Sequence, residues 1–214
     1  MHISFRPGRG WEMGEETLRL PERKDDIEQF IAECFVNAMN KTAGPDEAIS
    51  NLVQNHESNL DFTVDIGGKE ALLELTEFAP LNEFGGDYGK VPNSYQPGQR
   101  AQLYLDLLRK KSQKQGGAKR ILLTYATHDN FTLCMWAAEI VKRQLQTETL
   151  RFDAVYDLIV HPDGEGSIET VYPSDLNPEL AKRSTDSLAN SSSYNLSMAD
   201  FTQTSPTSRT TPQE

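Results

Sequence analysis

The chain has 214 residues, a length that accommodates one domain with a proper core and a tail. Its 21 basic and 32 acidic side chains leave a formal net charge of −11, which weakens non-specific attraction to nucleic acid and argues against a dedicated DNA-binding module. Two cysteines, each inside an apolar helix-like run, exclude a disulfide scaffold or a zinc knuckle, and no apolar stretch approaches a membrane span.

Residues 1–21 read as an irregular segment, with Gly8, Gly10, Gly14 and two prolines. The opening MHISFRPGRGWEMG lacks the basic-then-apolar order of a secretory leader, so a cytoplasmic setting is expected. Residues 22–41, ERKDDIEQFIAECFVNAMNK, are predicted as a helix. Ile27, Phe30, Ile31, Cys34, Phe35 and Ala38 recur at steps of three and four and form one apolar stripe, and Asp25 and Asp26 suit its first turn. Pro45 is predicted to open a second, short helix, PDEAISNLVQNH. Residues 61–77, DFTVDIGGKEALLELTE, read as a β-hairpin.

Residues 79–96 form a long Gly-, Pro- and Asn-rich loop, of the kind that is often functional. PGQRAQLYLDLLRKKSQKQ is the next predicted helix, basic from Arg109 to Lys114 and stopped by Gly116-Gly117. KRILLTYAT is a strand apolar enough for burial on both faces. HDNFTLCMWAAEIVKRQLQ is a helix capped by Asp129 or Asn130; LRFDAVYDLIVHP is a strand, and GSIETVYP extends the sheet. After Pro173 the chain is Ser/Thr/Asn-rich with few large apolar residues, and it reads as a disordered tail. The predicted division is therefore an irregular segment 1–21, a domain 22–174 and a tail 175–214. The element order implies an α/β fold, a mixed central sheet flanked by helices on both faces.

The hairpin fixes its own register. With Gly67-Gly68 as a two-residue turn, Ile66 faces Lys69, and the pairing runs back to Phe62 with Leu73 and Asp61 with Glu74. One face then carries Phe62, Val64, Ala71, Leu73 and Leu75, which is core. The other carries Asp61, Thr63, Leu72, Glu74 and Thr76. Facing carboxylates repel, and burial adds lost hydration, so either one is protonated or a cation bridges them. A divalent metal with oxygen ligands satisfies the second case. An ordinary solvated polar face is the alternative.

Asp61 followed by Glu74-Leu75-Thr76 on the next strand resembles the signature of the PD-(D/E)XK, or restriction-endonuclease-like, phosphodiesterase superfamily. The resemblance spans roughly residues 22–162 and implies a restriction-endonuclease-like α/β/α sandwich. It implies Mg²⁺ or Mn²⁺ held by Asp61, Glu74 and the backbone carbonyl of Leu75, activating water against a phosphodiester. It also points to Glu28 (or Glu33) in the first helix, and to Gln99 and Gln102 on the helix after the hairpin, as accessory residues. The family's lysine is replaced by Thr76, which has a neutral hydroxyl and no positive charge. Lys69, Lys90 and Lys119 are the candidate replacements: Lys69 lies beside the turn with apolar-face parity, Lys90 sits in the long loop with room to swing over the site, and Lys119 precedes the next strand, and the sequence does not choose among them.

Three functional expectations follow. One is a metal-dependent nuclease acting on nucleic acid, with contacts from the basic helix end weakened by the acidic net charge. Another is an inactive nuclease fold that binds a protein partner. The last is an unrelated α/β interaction domain. The facing-carboxylate picture further predicts that Glu74→Gln leaves the metal-free protein at least as stable. The adjacent His128 and Asp129 read as a helix cap, and Asp157 with His161 as a strand leading into a Pro-Asp-Gly turn.

Overall fold

The computed structural model describes residues 2–6, 10–14, 20–44, 47–55, 61–92, 94–113, 119–127, 131–161, 163–176 and 193–194. Two short strands, β1 (His2–Arg6) and β2 (Gly10–Gly14), pair antiparallel, so the N-terminal stretch expected to be irregular contains a hairpin. Helix α1 (Lys24–Thr42) follows, with Asp25 and Asp26 in its first turn.

The next element differs from the expectation. Residues Ile49–Gln54 form strand β3, where a short helix was predicted. Tertiary contacts override local propensity here. The side chain of Asn40 in α1 brackets Ile49, accepting its N–H at 2.7 Å and donating to its carbonyl at 2.8 Å. Ile49 itself is buried, and β3 satisfies the outer backbone groups of β4 (Phe62–Ile66).

Strand β5 (Lys69–Glu77) returns antiparallel to β4 in the predicted register, from Ile66–Lys69 to Phe62–Leu73. Gly67 and Gly68 take positive φ in the turn, which a side chain would resist. The loop after β5 contains two single 3-10 turns and a two-residue strand, β6 (Ser94–Tyr95). Helix α2 (Pro97–Ser112) then leads to β7 (Arg120–Tyr125), parallel to β5. Helix α3 (Met135–Leu145) leads to β8 (Ala154–Val160), parallel to β7, and β9 (Gly166–Tyr172) turns back antiparallel.

Helix α3 starts later than predicted. Phe131 and Leu133 are drawn into the core as irregular chain, and Cys134 precedes the helix without a side-chain cap. The expected cap residues His128, Asp129 and Asn130 lie outside the described residues. A last strand, β10 (Ser193–Tyr194), falls within the region expected to be a disordered tail.

The result is an α/β fold around a six-stranded mixed sheet in the order β3-β4-β5-β7-β8-β9. One core lies between the sheet and α1, built on Phe35, Phe62, Leu73 and Leu123. The other lies between the sheet and the α2–α3 pair, built on Tyr104, Leu108, Leu122 and Val141. Both faces are therefore covered, and none of the described helices is long and apolar enough to cross a membrane.

Candidate functional site

Glu74 and Thr76 point into the α2–α3 side of the sheet, where burial is nearly complete at 2% and 7% exposure. A lone carboxylate there would be costly, and the chain supplies its own counter-charges. Arg120 donates to one Glu74 oxygen at 2.9 Å, and Lys111 to the other at 3.0 Å. Arg120 is as buried as Glu74, lies over the Phe152 ring at 5.0 Å, and donates its backbone N–H to the Asp153 carboxylate at 2.7 Å. The cation that bridges the strand acid is thus a guanidinium and an ammonium from the same chain. Lys111 belongs to the basic end of α2, and its neighbour Arg109 is engaged by Glu148 at 2.5 Å and by Asp106 at 3.2 Å.

Asp61 does a different job. Pairing of β4 with β5 ends at Phe62–Leu73, one residue short of the Asp61–Glu74 pair the sequence predicts. The N–H of Leu75 is left without a strand partner on that side, and the Asp61 carboxylate accepts it at 2.6 Å. Asp61 is half-buried and engages backbone, while Glu74 engages two cations. The expected face-to-face repulsion is absent because the two acids have separate partners.

Leu75 and Thr76 complete the motif. The Thr76 hydroxyl donates to the Leu75 carbonyl at 2.7 Å, the oxygen expected to face a metal. All the predicted ligand groups are therefore occupied by hydrogen bonds or ion pairs. Among the described residues no three acids, histidines or cysteines gather closely enough to hold an ion. The donor set of Asp61, Glu74 and Leu75 does not fit Mg²⁺ or Mn²⁺ in this arrangement.

The remaining predicted residues are dispersed. Lys90 is exposed and lies 3.9 Å from Asp87 within the loop. Gln99 is exposed, and Gln102 is exposed with its amide on Asp106 at 2.9 Å. Glu28 lies on α1, paired with Lys24 at 3.3 Å and mostly covered. It nonetheless shares a neighbourhood with Asp61. Burial first, and then the fields of Glu77, Glu28 and Asp61, push the Tyr125 hydroxyl well above its ordinary range. Glu77 is beside Tyr125 in the strand register, and Thr127 donates to its carboxylate. The carboxyl ends of β5 and β7 thus carry an acidic surround for one buried tyrosine.

A second polar feature crosses the sheet beneath α2. Thr76, Thr124, Asp157 and Glu169 are successive partners on β5, β7, β8 and β9. Tyr104 and Thr124 are 2.5 Å apart, and Thr124 donates to Asp157 at 2.6 Å. Burial pushes the Asp157 carboxyl up to about 6, with Glu169 adding to the rise, against the hydrogen bonds of Thr124 and Tyr104. His161 is elsewhere, 2.6 Å from the Ser167 hydroxyl, so it does not join Asp157.

Sequence reasoning missed Arg120 and Tyr125, and it read Lys111, within the basic end of α2, as a contact for nucleic acid where it pairs with Glu74. The signal available for Arg120 was a charged residue opening an otherwise apolar strand, which is sustainable only with a buried partner. A cavity of about 430 Å³ is lined by residues such as Asn37, Lys41 and Glu165 and touches none of these groups. Comparison with family models, curated proteins and solved structures finds no match to this chain.

Proposed function

We propose that this chain is a binding or regulatory protein built on a nuclease-like α/β fold, without phosphodiester hydrolysis at Asp61 and Glu74. One observation carries the proposal: both Glu74 oxygens are held by Arg120 and Lys111. A divalent cation placed there would meet two positive charges at hydrogen-bond range, where burial makes repulsion strong. Thr76 in place of the family's lysine supports the same reading, since it brings no charge to a phosphoryl group. The partner is proposed to be a protein: net charge −11 disfavours a polyanion, and Met135 and Trp136 expose apolar surface at the start of α3.

The acids near Tyr125 favour a second reading. Glu28, Asp61 and Glu77 lie toward the carboxyl ends of parallel strands, where α/β sheets commonly bind ligands. On that reading the chain is a metal-dependent phosphodiester hydrolase whose Mg²⁺ or Mn²⁺ would be shared between one or two of these acids and the substrate phosphate, since no three described acids gather closely enough to hold it alone.

Calorimetric titration of the whole chain with Mn²⁺, alongside cleavage assays on DNA and RNA, separates the two. The binding-protein reading expects no saturable heat and no metal-dependent cleavage. Saturable binding that Asp61→Ala and Glu28→Gln abolish, accompanied by cleavage, would replace it with the hydrolase reading.

A further inference from the structure

Exposed apolar surface is concentrated at one place. Of the described residues, three large apolar side chains are exposed: Val53 on the edge strand β3, and the adjacent pair Met135 and Trp136 at 69% and 41%. The pair opens the first turn of α3. A single exposed apolar side chain is ordinary, but methionine and tryptophan side by side are the types that interface cores gather.

The topology decides what surrounds them. Strands β5, β7 and β8 are parallel neighbours, so α2 and α3 run back along the sheet and begin at the strands' carboxyl ends. Side-chain contacts tie that end together. Arg100, in the first turn of α2, lies 6.0 Å from the Phe78 ring and 5.4 Å from that of Phe131, and Phe131 packs against Phe84 at 6.2 Å. Phe78 and Phe84 each follow an exposed acid, Glu77 and Glu83, and Phe131 leads into Met135 through Leu133. The Thr127 hydroxyl donates to Glu77, and no cation among the described residues pairs with Glu77 or Glu83. The cations nearby are committed elsewhere: Lys90 lies 3.9 Å from Asp87, and Arg100 is buried against the two rings.

An apolar pair beside carboxylates without counter-charge sets the chemistry of what covers it. Nucleic acid is repelled. A neutral apolar segment would strip water from the acids and return nothing. An arginine-bearing segment satisfies both parts, because a guanidinium pairs bidentately with carboxylate and stacks on an indole face, while Met135 adapts to an apolar neighbour. We propose that the first turn of α3 and the end of β5 form a docking face for an arginine-bearing, apolar segment of a partner protein, with Met135 and Trp136 as its anchor and Glu77 and Glu83 as its charged rim. The proposal rests on the binding-protein reading above and names the surface and the class of segment. Lysine is the poorer ligand, since an ammonium pairs as a point charge and holds its water more tightly.

The test is fluorescence anisotropy with three short labelled peptides of one apolar sequence, whose polar positions are all arginine, all lysine or all glutamate, titrated with the full chain. The arginine peptide should bind saturably, the lysine peptide about two- to fivefold more weakly, and the glutamate peptide not at all. Trp136→Ala should weaken the arginine peptide roughly tenfold or more, as truncating an interface anchor does, and Met135→Ala gives a second readout of the same surface. Glu77→Gln/Glu83→Gln should weaken it about three- to tenfold and flatten its salt dependence. Unchanged urea midpoints check that each variant is folded. No binding of the arginine peptide would overturn the proposal. So would equal affinity for all three peptides, or affinity that Trp136→Ala and Met135→Ala leave unchanged. Concentration-dependent sedimentation that Trp136→Ala abolishes would assign the face to a second copy, and would overturn it too. Mn²⁺ titration and cleavage test the binding-protein reading separately: a chain that neither binds Mn²⁺ nor takes the arginine peptide loses this face and keeps that reading.

Discussion

A carboxylate inside a sheet survives only with positive charge at hydrogen-bond range, and Glu74 has two such partners. Removing it leaves Arg120 buried beside Phe152 with its main counter-charge gone. Glu74→Ala is therefore expected to cost about 3–5 kcal/mol in urea unfolding. Glu74→Gln should also destabilise, by a smaller amount. This reverses the outcome the hairpin alone suggests, because the acid relieves a cationic pair and does not confront Asp61. Asp157 makes the opposite case. Its folded carboxyl titrates near 6 against an ordinary 3.8, so the folded state holds the proton more tightly than the unfolded chain. The groups facing it are Tyr104 from α2, Thr124 from β7 and Glu169 from β9. Stability from this group is complete below pH 3.8 and is lost as pH rises through 6. The loss amounts to roughly 3 kcal/mol by neutral pH. Asp157→Asn should remove that slope: urea midpoints of variant and wild type should be close near pH 4 and favour the variant at pH 7.5.

At the level of elements, the hairpin was the most legible part of the chain. Its turn glycines and alternation fixed every observed pair from Ile66–Lys69 to Phe62–Leu73. Its predicted core face, Phe62, Val64, Ala71, Leu73 and Leu75, is buried throughout. Strand β3 was not legible, because what makes it a strand is distant. Asn40 holds both backbone groups of Ile49 from a helix nine residues earlier. Nothing in residues 45–56 announces that contact, and their local composition suits a helix start. Asn40→Ala should accordingly cost about 1–3 kcal/mol, since two polar backbone groups lose their partner at a part-buried site. A matching loss of amide protection confined to β3 would show that the effect is local. The start of α3 was misread for a related reason: Phe131 is pulled against Phe84, 6.2 Å between ring centres, and a helix there would turn it away.

On the scale of the whole molecule, the layered α/β arrangement could be read because it depends on element order. A hairpin feeding a strand–helix–strand unit leaves few ways to build one sheet. The candidate site could not be read in the same way. The acids were visible, but the partners of Glu74 are 37 and 46 residues further along the chain, at Lys111 and Arg120. Charge compensation across that separation leaves no periodic trace, so a buried ion pair and a metal site present the same local pattern. The outer border of the sheet has its own consequence. Strand β3 lies at one end of the sheet and exposes Val53, so a regular ladder there would invite copies of the chain to stack edge to edge. Asn51 instead adopts φ 52°, and the register with β4 shifts between Ser50 and Val53. The kink interrupts the regular ladder on that border, an irregularity of the kind by which sheet edges are made poor templates for pairing with a neighbouring copy.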